Sequence, residues 1–397
     1  VIVLKFGGTS MGNGERIASV AQLIKSRLPE TPLAVVSAMT GITDTLLAIS
    51  SAAQQSDRMA SERALGQFAE RHRQAVETLG LDGEDAEACH DEITRETVRI
   101  GDLSTGVSLL GELSTRTTDA IAASGELLSS LLLTSALRKI GVDAVRVDPR
   151  EWMATDAHYG CAIPDEARIS SLVSKKVLPE ALAGKVVVTG GFVGAAPDGS
   201  LTTLGRGGSD YSAALLGAGL HDAGAKVEAI EIWTDVDGIL TADPRVVTGA
   251  HLVPEVSYSE AAELAFFGAK VLHPATIKPA VGRQIPVKVR NTFRPEAPGT
   301  AVIKDAEGTG VRALAMRKGV SAVFISSPRM LLAHGYAARV FSIFEKLKVS
   351  VDVIATSEVS ISVTFDEKSP LDEIVKELSE FADVTTMTRL AVISVVG

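Results

Sequence analysis

Aromatic side chains make up only 4% of this 397-residue chain, and it has just two cysteines. A core must therefore be packed mainly from aliphatic residues, and the 35 glycines imply many tight turns. Cys89 and Cys161 are too few to staple a fold and fit a reducing compartment. Positive charge is scarce as well: 39 Lys and Arg stand against 49 Asp and Glu, a formal net charge of −10. No basic run offsets that balance, which argues against a nucleic-acid partner, since such proteins usually present a basic field. No uncharged stretch reaches the ~18 residues of a membrane helix. The N-terminus enters a strand-like run at once, with no visible signal-peptide pattern. The expectation is a cytoplasmic chain that meets neither membrane nor nucleic acid.

What is present looks globular. The chain is 46% hydrophobic and 22% charged, and at ~150 residues per domain its length suggests two to three domains. Val1 to Phe6 is a short apolar run, Gly7-Gly8-Thr9-Ser10 follows, and Ile17, Val20, Leu23 and Ile24 then recur at helical spacing. Further strand-like runs are 33–36, 144–147, 185–188, 228–234 and 285–289. Helical patterns lie between them, notably 125–140, 211–220 and 257–267. Strands alternating with helices predict βαβ units, hence an α/β fold with a mostly parallel sheet covered on both faces. Residues 56–105 read as charged helix. The cluster Glu84, Asp85, Glu87, Cys89, His90 and Asp91 within them reads as a solvated face rather than a metal site, because adjacent helical residues point apart.

The pattern changes after residue 293. Arg294-Pro295-Glu296-Ala297-Pro298-Gly299 reads as a linker. Beyond it, strand (320–325), helix (335–347), strand (349–354), strand (359–365), helix (371–381) and strand (383–387) follow one another. That βαββαβ order is ferredoxin-like. Leu390 to Val396 reads as a further strand.

Three glycine-bearing strand ends carry the chemistry: Gly7-Gly8, Gly190-Gly191 and Gly205 to Gly208. Glycine lets backbone N–H groups approach an anion, and a following helix N-terminus adds a favourable dipole. Lys5, just before the first loop, supplies a point positive charge. The P-loop pattern and a complete G-x-G-x-x-G are both missing. Any one of these loops could be a plain turn. Three at strand C-termini in one α/β unit point to a ligand edge. Arg206 could clamp a carboxylate bidentately. Asp210 either caps the next helix or orients Lys5 and a second lysine, for which Lys270 is the candidate. Lys270, near a helix end, could equally just complement the dipole.

Lys5-Phe6-Gly7-Gly8-Thr9-Ser10, Thr203-Leu204-Gly205-Arg206-Gly207-Gly208-Ser209-Asp210, Trp233-Thr234-Asp235-Val236-Asp237-Gly238 and Gly268-Ala269-Lys270-Val271-Leu272-His273-Pro274 resemble the signatures of the aspartate kinases. Ser350-Val351-Asp352-Val353-Ile354 and Thr356-Ser357-Glu358-Val359-Ser360 resemble the first ACT regulatory unit of that family, most closely its lysine-sensitive members. The resemblance spans nearly the whole chain. It implies an amino acid kinase α/β/α sandwich over residues 1–293, a linker at 294–311, an ACT domain at 312–388, and the start of a second, truncated ACT unit at 389–397. It implies ATP-dependent phosphorylation of the aspartate β-carboxylate, with ATP carried as its Mg²⁺ complex. Feedback by an amino-acid effector, lysine by this likeness, and a homodimer formed through ACT units are implied too.

Residue by residue, the resemblance assigns Lys5, Asp210 and Lys270 to catalysis. Phe6, Gly7, Gly8, Thr234, Asp235, Leu240, Arg245 and Val271 join Lys5 and Lys270 around ATP. Ser37, Thr43, Glu126, Phe192, Arg206, Gly207, Gly208 and Ser209 go to aspartate, with Arg206 on the α-carboxylate and Glu126 on the ammonium group. Met330, Tyr336, Ser350, Val351, Asp352 and Glu358 go to the effector. Leu240 stands where many members have a tyrosine beside the adenine, and Ala333 replaces a serine that contacts effector in some of them. His273 reads as structural rather than catalytic. Another amino acid kinase, such as a glutamate kinase, and a non-catalytic amino-acid sensor are the competing readings.

Overall fold

The computed structural model describes residues 1–267, 272, 274–306, 310–331 and 334–397. Lys270, Val271, His273 and Ala333, all named above, lie outside the described residues.

Fourteen strands occur among the described residues: β1 (Ile2–Phe6), β2 (Pro32–Val36), β3 (Ala144–Arg146), β4 (Val186–Gly190), β5 (Val193–Ala195), β6 (Leu201–Thr203), β7 (Ala229–Thr234), β8 (Glu255–Ser257), β9 (Val287–Asn291), β10 (Thr300–Ile303), β11 (Ala313–Ser326), β12 (Val351–Thr356), β13 (Ser360–Asp366) and β14 (Asp383–Val396). Eight of them form one sheet in the order β3-β4-β2-β1-β7-β9-β10-β8. Its pairings are parallel except β9 with β10.

Period-two alternation sends successive side chains of β1 to opposite faces. Ile2, Leu4 and Phe6 enter a core with the helices Gly14–Ser26, Ile42–Gln54, Arg58–Leu79, Gly83–Leu110 and Ser124–Lys139. Val3 enters the opposite core, with the helices Glu166–Lys176 and Gly208–Asp222. The sheet is thus covered on both faces, as the βαβ pattern predicts. The helical run Thr115–Lys139 has the length and hydropathy to cross a membrane, but 89% of its apolar window is buried in this fold.

A smaller antiparallel sheet follows, in the order β12-β13-β11-β14. The helices Tyr336–Lys346 and Leu371–Leu378 pack on it through Val340, Phe344, Ile374 and Leu378. This is the ferredoxin-like order expected from the sequence.

Two boundaries differ from the sequence reading. Of the run read as a linker at 294–311, residues 294–299 are instead a hairpin turn leading into β10, and 300–303 are β10 itself. Gly299 takes a left-handed φ of 75° there, and Thr300 and Val302 are buried beside β9 and β8. Pro295 and Pro298 therefore mark a turn, and the large sheet continues to Ile303. Residues 390–396, read as the first strand of another unit, continue β14 and pair with β11 from Ala313 to Val320. Left-handed Gly319 and Arg389 (φ 75° and 57°) mark the irregularity that makes one strand look like two in sequence.

Glu231 in the middle of β7 is fully buried, yet charged partners surround it. Arg27 lies 2.9 Å away and Arg290 3.5 Å away, and the Trp233 indole N–H donates to it at 3.0 Å. Removing Glu231 leaves Arg290 without this counter-charge, while Arg27 keeps Glu30 at 2.5 Å. Glu231→Ala is expected to cost about 3 kcal/mol of stability, with Glu231→Gln costing less because the indole bond survives. Urea unfolding followed by tryptophan fluorescence checks this, and unchanged stability in the alanine variant would contradict it.

Candidate active site

β1, β2, β4 and β7 run parallel, so their C-terminal ends share one edge. Each strand hands the chain to a tight loop there. The Gly7 N–H donates to Trp233 O (3.1 Å), the Ser37 N–H to Phe6 O (3.0 Å) and the Gly191 N–H to Val36 O (2.8 Å), stitching the loops to neighbouring strand ends. Gly7 is therefore already committed to Trp233, contrary to its expected place in an anion cradle. Among the described residues the Gly8 N–H makes no hydrogen bond, so the donors left for an anion begin there.

Lys5 shares a face with Val3 and so points toward the helix Gly208–Asp222. Its Nζ meets Asp210 Oδ1 at 2.6 Å, and both side chains are largely buried. Gly207, with φ 74°, precedes that helix, so Asp210 sits in its first turn facing Lys5 rather than capping it. A Cβ on Gly7 would lie 3.4 Å from the Lys5 ammonium, and one on Gly8 would lie 3.3 Å from Ala38 O. Side chains at either position would crowd the floor beside the charge.

Three cavities run along this edge. The central one, about 430 Å³, is lined by Lys5, Gly7, Gly8, Thr9, Asp210, Thr234 and Asp235. A second, about 370 Å³, shares Lys5 and Asp210 with it and adds Ser37, Thr43, Glu126, Phe192, Gly207, Gly208 and Ser209. A third, about 500 Å³, shares Thr234 and Asp235 with the first and adds Leu240 and Arg245. The shared residues make them one trench.

Among the described residues, most of those expected at the site therefore border the trench, but two do not. The Phe6 ring is buried and stacks on Trp233 at 6.2 Å, because position 6 falls on the core face of β1. Arg206 is exposed on the glycine loop, outside the lining of the second cavity. Arg245 borders the third cavity but pairs with Asp243 at 2.7 Å.

Glu126 lies in the first turn of the helix Ser124–Lys139 and is buried. The turn packs so closely on β4 that a Cβ on Gly190 would fall 3.1 Å from Glu126 O. Its Oε2 has no partner, and burial pushes the carboxyl up to about 8 against the backbone hydrogen bonds it accepts. A buried carboxyl that faces a cavity with one oxygen unpartnered is a receptor for a cation. Phe192 nearby holds a left-handed φ of 65°, a strained conformation for a non-glycine residue. The Phe192 N–H donates to Ser212 Oγ (2.9 Å), which fixes that conformation.

Three bracing residues escaped the sequence reading. Buried Asp119 accepts from the Gly160 N–H (2.8 Å), the Thr203 N–H (2.9 Å) and the Thr203 hydroxyl (2.8 Å), anchoring the strand that feeds the Gly205 loop. Arg71 donates to Thr40 O (2.7 Å) and Gly12 O (3.4 Å), and the Thr40 hydroxyl donates to Gly8 O (2.8 Å). Arg71 and Thr40 thus tie the loop after β1 to the loop after β2. Arg71 sits in a charged helix whose local pattern signals none of this.

Cation, free amides and a second polar cavity alongside define a site for transferring a phosphoryl group to a small zwitterion. The amino acid kinase family model matches residues 1–291. The lysine-sensitive aspartokinase 3 of Escherichia coli (strain K12) is 37% identical over 408 residues, covering all of this chain and 87% of that protein. Aspartokinase 3, chloroplastic, of Arabidopsis thaliana is 37% identical over 422 residues, covering all of this chain and 71% of its own. Among solved structures, E. coli aspartokinase III in complex with aspartate and ADP (R-state) matches with a TM-score of 0.84 at 37% identity, over the whole of this chain and 87% of the other. The same enzyme in complex with lysine and aspartate (T-state) matches at 0.83. The chain belongs to the amino acid kinase family and, within it, to the aspartokinases, which makes it a phosphotransferase.

Arg71→Ala should lower kcat/KM by about 10- to 100-fold through loss of loop alignment, while the melting temperature moves little. Guanidinium added to the medium should restore part of the rate. Full activity in Arg71→Ala would show that the two loops hold their places without it.

Proposed function

We propose that the trench holds L-aspartate in the second cavity and ATP across the other two, and that the chain transfers the γ-phosphoryl group to the β-carboxylate. The observation that carries this is the Lys5–Asp210 pair at the junction of the first two cavities. A carboxylate of ordinary pKa, about 3.9, is ionised at pH 7 and needs no general base. One of its oxygens bonds to phosphorus as the bond to the ADP oxygen breaks. ADP leaves and 4-phospho-L-aspartate remains. The chain's task is to bring two anions together. Lys5 neutralises phosphate charge, Asp210 keeps it aimed, and the Gly8 amide adds a fixed dipole. Lys270 is proposed as a second cation at the same phosphates.

Among the described residues no cluster of three His, Cys, Asp or Glu could hold a metal. That donor set fits Mg²⁺ carried on phosphate oxygens, with Asp210 and Asp235 the carboxylates bordering the phosphate cavity. Bound so, Mg²⁺ would offset phosphate charge. Glu126 receives the substrate ammonium group, and Ser37, Thr43 and Ser209 offer donors to its carboxylates. Arg206 is proposed to swing in onto the α-carboxylate.

Regulation is proposed at the smaller sheet, with lysine as effector and two copies paired through these units in the cytoplasm. Met330, Tyr336 and Val351 pack on its core, while Ser350 and Glu358 are exposed. Asp352, expected to take the effector ammonium, is already paired with Arg317 at 2.7 Å, and its Oδ2 is buried without a partner. That second oxygen is the one an ammonium group would use. Exposed Val353, Ile354 and Met387 are what pairing of two copies would cover.

A coupled ADP-release assay with aspartate, glutamate and N-acetylglutamate, titrated with lysine, threonine and methionine, tests the reading. Aspartate should support turnover, lysine should inhibit it, and preference for either other acceptor would overturn it. Lys5→Ala should reduce turnover by about two orders of magnitude or more, with the fold retained by circular dichroism. Near-normal turnover would remove Lys5 from its role.

Glu126 adds a pH dependence. With its carboxyl at about 8 in the free site, it is mostly protonated at pH 7. An ammonium group favours the ionised form, so binding must expel that proton. KM for aspartate should therefore rise as pH falls from 8.5 to 6.5 and level off above 8. In Glu126→Gln, KM should be high and nearly flat across the range. A flat wild-type profile would count against Glu126 as the ammonium receptor.

A further inference from the structure

The third cavity has one wall from the kinase sheet and one from the regulatory sheet. The loop following β7, with Ile239 and Leu240, and Leu264 of the helix Tyr258–Phe266 form the first wall. Leu314, Ala315 and Met316 of β11 form the second, beyond residues 1–291 that the family model matches. β11 is fastened in place. The Leu314 N–H donates to Thr241 O at 2.7 Å, and Ala313 and Ala315 are buried in the core that also holds Leu264. Alternation along the strand turns Leu314 and Met316 to the other side, where Leu314 is 44% exposed and Met316 half-buried.

We propose that Leu314 and Met316 belong to the nucleotide site and hold the base of ATP by apolar contact, so that a strand of the regulatory sheet completes the kinase site. This rests on the reading of the trench as the ATP channel. Continuity supports it: Thr234 and Asp235 border both this cavity and the one containing Lys5. Phosphates at Lys5 leave the base to lie beyond those two residues. Among the described residues the lining there contains no aromatic ring, and Asp243 and Arg245 are spent on each other. A purine face must then be matched by aliphatic and thioether groups, and a methionine is polarizable and adapts to a flat ring. Leu240 supplies one such surface, and Met316 with Leu314 the opposing one.

The test uses the full chain and reads ADP binding by calorimetry beside tripolyphosphate, which has phosphates and no base. Met316→Ala should weaken ADP binding and raise KM for ATP by about 5- to 10-fold, and Leu314→Ala by somewhat less. Tripolyphosphate affinity and KM for aspartate should stay within about twofold, because neither ligand reaches the wall. Met316→Leu, which keeps the volume, should bind ADP close to wild type and guards against a folding defect in the alanine variant. Unchanged ADP affinity in the Met316→Ala, Leu314→Ala double variant would overturn the proposal. Equal weakening of tripolyphosphate would also overturn it, since the wall would then act on the loops and not the base. If wild type binds ADP but shows no aspartate-dependent turnover, the functional reading fails while the ADP series still decides the wall.

Discussion

Four parallel strands, β4, β2, β1 and β7, end at one edge of the sheet and leave backbone groups there without ladder partners. Antiparallel pairing would have scattered those ends to both edges. Parallel pairing gathers them, with glycine loops and a helix N-terminus, into one strip of donors. The Gly8 amide, not spent on stitching strand ends together, belongs to a residue that lines the trench. Even the position of the main cation follows, because the alternation that buries Val3 in one core aims Lys5 along the same face at Asp210. The charge pair is a product of register before it is a product of chemistry.

On the proposed reading, that strip holds two anionic reactants side by side, in unequal surroundings. On the side proposed for phosphate, Asp210 holds the Lys5 ammonium in place at 2.6 Å. On the side proposed for the acceptor, one oxygen of buried Glu126 has no partner, so it gains most from a ligand that brings its own positive charge. A carboxyl so placed discriminates: a carboxylate without an ammonium group would find a neutral or repelling neighbour. The left-handed Phe192 and the hydrogen bonds to Asp119 show where the surrounding structure invests in geometry. Backbone strain persists only when packing over-determines it, and here Ser212 Oγ does so.

The sequence carried the parallel sheet, the ferredoxin-like unit and most of the trench lining, because each rests on local pattern. Apolar alternation makes β1, the glycines make the loops, and the spacing of Phe344 and its neighbours makes the regulatory helix. What it did not carry is long-range. Nothing around Arg71 hints that it bridges two loops thirty or more residues upstream. Pro295 and Pro298 look alike in a linker and in a hairpin, and only the pairing of β10 with β9 and β8 tells them apart. The burial of Phe6 was legible in principle, since it shares a face with Leu4, but the motif drew attention to the loop instead. The Arg317–Asp352 contact joins two strands that neither motif links.

That last contact shows how the two sheets can answer to each other. Met316 and Arg317 are adjacent on β11, so their side chains leave opposite faces of one strand. One borders the third cavity and the other holds Asp352 of β12. Two residues later the strand breaks register at left-handed Gly319 and then enters the regulatory core. The ion pair therefore spans the irregularity, tying the segment at the cavity to the sheet beyond the bend. An ammonium group taken up at Asp352 Oδ2, as proposed, would share that carboxylate with Arg317 and weaken one of the two ties that Arg317 makes, the other being to Asp366 at 3.4 Å. Linkage makes the relation symmetric: whatever occupancy at Asp352 does to nucleotide affinity, nucleotide must do to effector affinity by the same factor. A shared strand with a bend between its two duties is enough to carry that coupling, without any path of contacts through the kinase core.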